Sequence, residues 1–345
     1  MPKSLILSLL KRVAAIDLPE ILIEVEKGIF KSDLSKLQNE IQETRYSSGQ
    51  YKCPFCDDDH IVKNGKFNGN QRYLCRNCRK SFSQQTQTPT AYSKKKTKVW
   101  IDYIECMIKG YSLRGCAEEC QINLATAFFW RHKILDALSS FMGTGEVDGL
   151  VEADECYLRY SYKGNHSKSK KFTMPRAPSK RGGDSVGKRG LSSEQVCIGT
   201  ALDRTGNILI GMIGTGRAKY DNLKRFFEGR IAPHSILCTD SAHGYATLSE
   251  ELHLNHIKIY SGKRKKDIYH IQHINSLHSR LKAFMGDFKG VATKHLQNYL
   301  YWFKFIEIFK SERESIKLER AYVLSQANYT DCSVEAIRTR TPAFV

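Results

Sequence analysis

The stretch Ile236-Leu-Cys-Thr-Asp-Ser-Ala-His-Gly-Tyr245 decides how this chain is read. An apolar run of strand length ends abruptly in Asp240 and breaks at Gly244. Open α/β sheets place their chemistry at such carboxyl ends of strands. Taken alone, Asp240 is equally a turn or helix-capping residue, because Asp-Ser is ordinary turn chemistry. It becomes a metal-binding carboxylate only if partners stand elsewhere in the chain.

Working outward, a second strand-length run from Leu150 to Leu158 carries Asp154, 86 residues before Asp240. Strands are expected at about Val196 to Leu202 and Ile208 to Ile213, joined by the turn Asp203-Arg-Thr-Gly-Asn207, and a helix from about Tyr220 to Glu228. Past Asp240, the helical segment Ile274-Asn-Ser-Leu-His-Ser-Arg-Leu-Lys282 puts Asn275, His278, Ser279 and Lys282 on one face. Two carboxylates, a neutral oxygen donor and a cation suit a phosphodiester reaction. Mg²⁺ prefers oxygen ligands, and two such ions about 3.5–4 Å apart stabilise both the entering and the leaving oxygen of an in-line displacement. Asp154 and Asp240 would then hold Mg²⁺ or Mn²⁺, Asn275 would add a carbonyl ligand, and Lys282 would meet a DNA phosphate. Each residue also has a plainer reading. Asn275 could cap the helix it begins, His278 and Lys282 could be solvated, and Asp154 could be half of a surface pair.

The partner is suggested by charge. Among 345 residues, 54 are Lys or Arg against 36 Asp or Glu, a formal net charge of +18. An excess of that size points to a polyanion, here double-stranded DNA. With 41% hydrophobic residues the chain can bury a sizeable core, in two or three domains. Eleven cysteines, an odd number spread over the chain, fit a reducing cytoplasm better than a disulfide framework. The run Ser4 to Leu10 is short and meets Lys11-Arg12 at once, so neither a spanning helix nor a signal peptide is expected, and no membrane partner.

Residues 1–46 show apolar positions at helical spacing and read as a helical segment. Within 47–83, Cys53-Pro-Phe-Cys56 and Cys75-Arg-Asn-Cys78 are two Cys-x-x-Cys knuckles separated by eighteen residues with Asn-Gly turn signals. Four such thiolates can surround Zn²⁺ tetrahedrally, closing every coordination position, so the metal is structural. Arg72, Tyr73, Arg76, Arg79 and Lys80 around the second knuckle suggest that this ribbon touches DNA; a ribbon for protein contacts is the alternative. Residues 94–142 hold three helical segments, the second with Ser112 as a cap and the third from about Leu124 to Phe141. That is compatible with a helix-turn-helix whose third segment enters the major groove, with Thr126 and Arg131 as contacts, and equally with any small three-helix bundle. A basic insertion at 159–192, including Lys168, Lys170, Lys171, Lys180, Arg181, Lys188 and Arg189, and the loop Lys263-Arg264-Lys265-Lys266 could neutralise phosphates. The aromatic run Tyr299 to Phe305 reads as packing of the last helix of a domain at 146–310, and 311–345 takes no assignment.

The knuckles, Val151-Glu-Ala-Asp154-Glu-Cys-Tyr157, Lys188 to Val196, Thr239 to Tyr245, His273 to Lys282 and Gly290 to Tyr299 together resemble the bacterial insertion-sequence transposases of the DDE superfamily that carry a zinc ribbon. The resemblance spans about residues 50 to 310. It implies an α/β fold with a ribonuclease-H-like mixed sheet, with Asp154 and Asp240 in the first two acidic positions. Asn275 falls where most such enzymes have Glu, and Lys282 matches the Lys seven residues on. It further implies binding to terminal inverted repeats, cleavage at element ends and attack of the freed 3′-hydroxyl on target DNA, by a cytoplasmic, nucleoid-associated protein that is oligomeric on DNA. The neutral amide at Asn275 leaves open whether Glu155 or a DNA phosphate completes the metal shell. It also keeps two alternatives in view: a DNA-binding protein without catalysis, and a nuclease of the same fold.

Overall fold

The computed structural model describes residues 34–45, 51–67, 69–164, 173, 175, 191–240, 243–260, 265–331 and 333–344. The first part of the chain forms α1 (Leu34–Arg45), β1 (Ile61–Phe67), β2 (Asn70–Cys75), β3 (Ser81–Ser83), α2 (Thr97–Ile108), α3 (Leu113–Glu119) and α4 (Leu124–Met142). There follow β4 (Leu150–Arg159), β5 (Gln195–Asp203), β6 (Ile208–Thr215), α5 (Tyr220–Phe227), β7 (Ile236–Thr239), α6 (His243–Glu251) and β8 (Asn255–Lys258). The last elements are β9 (Lys265–Lys266), β10 (Tyr269–His270), α7 (Gln272–Asp287), α8 (Thr293–Ile308), α9 (Glu314–Ala327) and α10 (Val334–Thr339). Two compact units result, Met1–Leu138 with Ser311–Ile337, and Ser139–Lys310 with Arg338–Val345.

In the second unit a five-stranded sheet runs in the order β6-β5-β4-β7-β8. Strands β6, β5 and β4 pair antiparallel, while β7 and β8 run parallel to β4. This is the ribonuclease-H-like mixed sheet that the resemblance to insertion-sequence transposases implies. Strands β5 and β6 are almost wholly buried, and their near-continuous apolar sequence is what a strand covered on both faces needs. On one face, Val151 and Ala153 of β4 pack with Leu223, Phe226 and Phe227 of α5 and Tyr245 and Leu248 of α6. On the other, Cys156, Ile198 and Met212 meet Ile274, Leu277 and Leu281 of α7 and Leu296, Leu300 and Phe303 of α8. Leu237, Leu248, Leu277 and Leu281 have no exposed surface, and each such burial contributes roughly 1.5–3 kcal/mol relative to exposure. At Gly199 a Cβ would stand 2.9 Å from the Phe226 ring, so α5 lies on the sheet only because no side chain stands there. The aromatic run of α8 is packing, as expected: Tyr299, Trp302, Phe303 and Phe305 are buried, and Trp302 stacks on Phe305 at 5.1 Å.

In the first unit Trp100 of α2 stacks on Trp130 of α4 at 3.6 Å. Ser112 does cap α3, its Oγ accepting the Gly115 N–H at 3.1 Å. The link from α3 to α4 is tight: Gln121 takes φ 48°, and Asn123 Oδ1 accepts the Ala125 N–H at 2.8 Å to start α4. A turn of this length joining two helices is the helix-turn-helix spacing. The segment after residue 311, which the sequence left unassigned, supplies α9 to this unit, packed on α1 and α2. Arg45 fastens it by donating to the carbonyls of Ala327 at 3.2 Å and Gln326, and to that of Gln84 at 2.8 Å. Helices expected before residue 34 lie outside the described residues.

Candidate active site and metal centre

The parallel pairing of β4 with β7 aligns Leu150 with Ile236, Val151 with Leu237 and Glu152 with Cys238. Continued two residues, the same register sets Asp154 beside Asp240, on strands about 4.8 Å apart. The two aspartates singled out in the sequence are thus brought together by strand pairing. Asp154 keeps about a fifth of its side chain exposed (21%). Burial pushes its carboxyl up to about 6; the Glu155 N–H and the Lys282 charge pull the other way, and Asp240 adds to the rise. Its Oδ1 accepts the Glu155 N–H at 2.8 Å.

Side chains alternate along a strand, so Glu155 lies on the opposite face of β4 from Asp154. There burial raises it to about 7, opposed by the Tyr245 hydroxyl and reinforced by Asp154 and Asp240. Asp154 and Glu155 are thus both raised, chiefly by burial and in lesser part by the charge of Asp240, a setting that a divalent cation with oxygen preference relieves. The donor set therefore fits Mg²⁺ or Mn²⁺.

Helix α7 lies against the Asp154 face. It begins at Gln272 with Ile271 as its N-cap, and the Asn275 N–H already donates to the Ile271 carbonyl at 3.2 Å. Asn275 therefore stands one turn inside the helix, which removes the capping alternative and leaves its amide exposed. One turn on, His278 is buried, not solvated. Its Nε2 lies 2.7 Å from Thr200 Oγ1, which donates to the Asp154 carbonyl at 2.7 Å. A hydroxyl has one proton to give, so His278 Nε2 is the donor and its bare Nδ1 faces Asp154 Oδ2 at 3.7 Å. Burial lowers this imidazole to about 4 and keeps it neutral. Lys282, exposed on the same helix, is near enough for Asp154 to feel its charge.

Sequence reading missed a cluster two residues upstream on the same face of β4. Glu152 is 1% exposed, and its Oε2 accepts the N–H groups of His273 at 2.9 Å and Ile274 at 3.1 Å. Its Oε1 lies 3.1 Å from Arg204 Nη1, 3.2 Å from His270 Nδ1 and 2.8 Å from His273 Nδ1. The signal was present: an acid in an otherwise apolar strand must find a partner when buried.

In the ribbon, β1, β2 and β3 form an antiparallel sheet and the four knuckle sulfurs lie within 4.8 Å of one another. Cys53 and Cys78, and Cys56 and Cys75, approach to 3.6 Å between sulfurs, close to the about 3.8 Å edge of a tetrahedron with Zn–S bonds of about 2.3 Å. The two knuckles repeat one backbone pattern. Asp57 N–H donates to Cys53 O and Arg79 N–H to Cys75 O, at 2.9 and 3.0 Å, while Cys53 N–H reaches Asp58 O and Cys75 N–H reaches Lys80 O. Asp57 and Arg79 take matching φ values of 57° and 60°. The cluster can hold zinc. Tyr73 is engaged in a column between Tyr51 and Phe82, at 5.0 and 5.6 Å, whereas Arg72, Arg76, Arg79 and Lys80 are exposed.

Residues 146–307 match the ISXO2-like transposase domain family. The matched stretch is thus similar to the transposase domain of insertion sequences. It is similar to an uncharacterized protein in the transposable element ISH50 of Halobacterium salinarum, with 24% identity over 284 residues, 81% of this chain and 93% of that protein. The crystal structure of a pre-cleavage Mos1 transpososome aligns at 12% identity over 67% of this chain and 79% of that one, with a TM-score of 0.21. That score carries no weight for the fold, which rests on the strand order.

Of the residues expected to meet DNA, Arg131 is corrected. It is 4% exposed, and its guanidinium donates to the Tyr111 carbonyl at 2.8 Å and sits 3.3 Å from Cys116 Sγ; it ties α4 to α3 and to the link before it. Thr126 is half-buried in the first turn of α4. Outside the helical module, the transposase domain exposes Lys266 on β9, where Lys265 pairs with His270. Lys168, Lys170, Lys171, Lys180, Arg181, Lys188, Arg189, Lys263 and Arg264 lie outside the described residues. Among the described residues no helix is long and apolar enough to cross a membrane.

Proposed function

We propose that the chain is a DNA transposase that binds the terminal inverted repeats of an insertion sequence, then cleaves and transfers strands at the element ends. The observation that carries this reading is the β4–β7 register, which sets Asp154 beside Asp240, together with the raised carboxyl of Asp154. Bound there, Mg²⁺ or Mn²⁺ would polarise the scissile phosphate and stabilise the entering and leaving oxygens. Asp154 and Asp240 hold the metal, with the Asn275 amide oxygen as a neutral donor in place of an acid. Lys282 offers an exposed cation to a neighbouring phosphate. His278, neutral and tied to Thr200, adds no positive charge of its own and keeps α7 against the strand that carries Asp154. The zinc ribbon and the helix-turn-helix-like module recognise the ends, and pairing of two ends calls for a homo-oligomer on DNA.

The test is to incubate the full chain with labelled DNA bearing the ends of its element, with and without Mg²⁺, beside the Asp240→Ala variant. Metal-dependent cleaved and joined products are expected from the wild type and none from the variant, which should bind the ends within a few fold of wild type. Cleavage by Asp240→Ala would overturn the site. Binding by the wild type without any metal-dependent product would leave a DNA-binding protein without catalysis.

A further inference from the structure

Glu152, His270 and His273 bring potential ligand atoms within 4.8 Å of one another, the donor set of a second metal site. The guanidinium of Arg204 stands in that place. Its Nη1 is 3.1 Å from Glu152 Oε1 and contacts His273 Nδ1, and its Nη2 lies 3.3 Å from His270 Nε2. A permanent planar cation already provides what a metal would. The other carboxylate oxygen of Glu152 receives two backbone N–H groups from the first turn of α7, where orphan donors and the helix dipole favour an anion.

These contacts have a place in the site. Glu152 precedes Asp154 by two residues on one face of β4, and the N–H groups it holds precede Asn275 by two residues and one. Asn275 is exposed, so packing does not fix its amide, and its backbone position follows from the start of α7. A second tie, from His278 through Thr200 Oγ1 to the Asp154 carbonyl, holds the next turn of the helix. We infer that Glu152, braced by Arg204, is a positioning residue: it sets the register of α7 on β4 and thereby the separation between Asp154 on the strand and Asn275 and Lys282 on the helix. The inference rests on the transposase reading of that site.

The test uses the zinc-loaded full chain and labelled element ends. Glutamine at this position, Glu152→Gln, keeps the size of the side chain but removes the charge shared by Arg204 and the helix start. Cleavage should fall roughly ten- to a hundred-fold, the effect of losing one charge-assisted hydrogen bond in a preorganised site, while end binding stays within a few fold. Mn²⁺ binding to the DNA-free protein, followed by electron paramagnetic resonance, should weaken several-fold in parallel. The decisive readout is a double-mutant cycle. In the Asn275→Ala background, measured with excess protein and Mn²⁺, Glu152→Gln should cost clearly less than it does in wild type, because one of the two side chains it misplaces is already gone and only Lys282 remains to be displaced. Additive losses, or a Glu152→Gln protein that cleaves at the wild-type rate, would overturn the inference. So would a Mn²⁺ equivalent bound by wild type and lost in His273→Ala, since the cluster would then be a metal site. Asp240→Ala, run alongside, separates the two levels: residual cleavage there refutes the site itself, whereas an inactive Asp240→Ala beside a fully active Glu152→Gln refutes only the positioning role.

Discussion

Replacing Asp154 by Asn should stabilise the metal-free protein, although it destroys the proposed metal site. Asp154 sits at about 6 in place of the ordinary 3.8, chiefly through burial. An acid whose carboxyl is raised on folding binds its proton more tightly in the folded chain. Stability therefore falls as pH rises from about 4 to about 6 and stays low above that. About two pH units at 1.36 kcal/mol each gives a penalty of about 3 kcal/mol, complete at pH 7.5 and roughly half as large at pH 5. Asparagine has the same shape and no charge to desolvate, so it should recover most of that amount. For a unit of this size about 3 kcal/mol corresponds to roughly 5–10 °C in melting temperature. The assay is calorimetric melting of zinc-loaded protein freed of Mg²⁺, wild type against Asp154→Asn, at pH 5 and 7.5. The variant should melt higher, with the larger gain at pH 7.5, and millimolar Mg²⁺ should raise the wild type more than the variant. A variant that melts lower at pH 7.5, or a gain larger at pH 5, would refute this account of the site's electrostatics.

The ribbon and the helices can be probed separately. Cys75→Ser removes a buried thiolate from the four-sulfur cluster, and because zinc binding in small modules is folding free energy, residues 51–83 should unfold. Lost zinc stoichiometry, weakened end binding and a preserved melting transition for the catalytic unit are expected. Arg131→Lys should lower the melting temperature by an amount equivalent to about 1–3 kcal/mol, since the shorter lysine cannot bring its donor to where Arg131 Nη2 meets both Tyr111 and Cys116. Its salt dependence of DNA binding should match wild type, whereas a lost phosphate contact would reduce the slope by about one.

What could be read in the sequence follows period and spacing. The strands of the sheet, the paired knuckles and the Ser112 cap each announce themselves within a few adjacent residues, and the structure has all three. The Asp154–Asp240 pair was legible because both end or interrupt apolar runs. Where the sequence fell short, the information was long-range. Arg131 looked like a surface cation because nothing local shows that the Tyr111 carbonyl needs a donor. Asn275 looked like a cap because the helix start is set by Glu152, which reaches the first turn of α7 from more than a hundred residues away. The Glu152–Arg204–His270–His273 cluster joins three stretches far apart in the chain: β4, the turn after β5, and the residues leading into α7 and its first turn. Residues after 311 have apolar positions that make sense only against α1 and α2, which the chain leaves some two hundred residues earlier.

The alignment of β4 with β7 separates chemical distance from sequence distance. A chain segment enters β4 at Leu150, departs at Arg159, returns through β5 and β6, and reaches β7 only at Ile236; the β4–β7 pairs run from Leu150 with Ile236 to Glu152 with Cys238 and use no residue of the insertion. The basic insertion can therefore lengthen, shorten or change composition and leave the carboxylate pair where it is. A slip of one residue between β4 and β7 would instead put Thr239 or Ser241 opposite Asp154. The first kind of change leaves the carboxylate pair intact, and the second takes it apart.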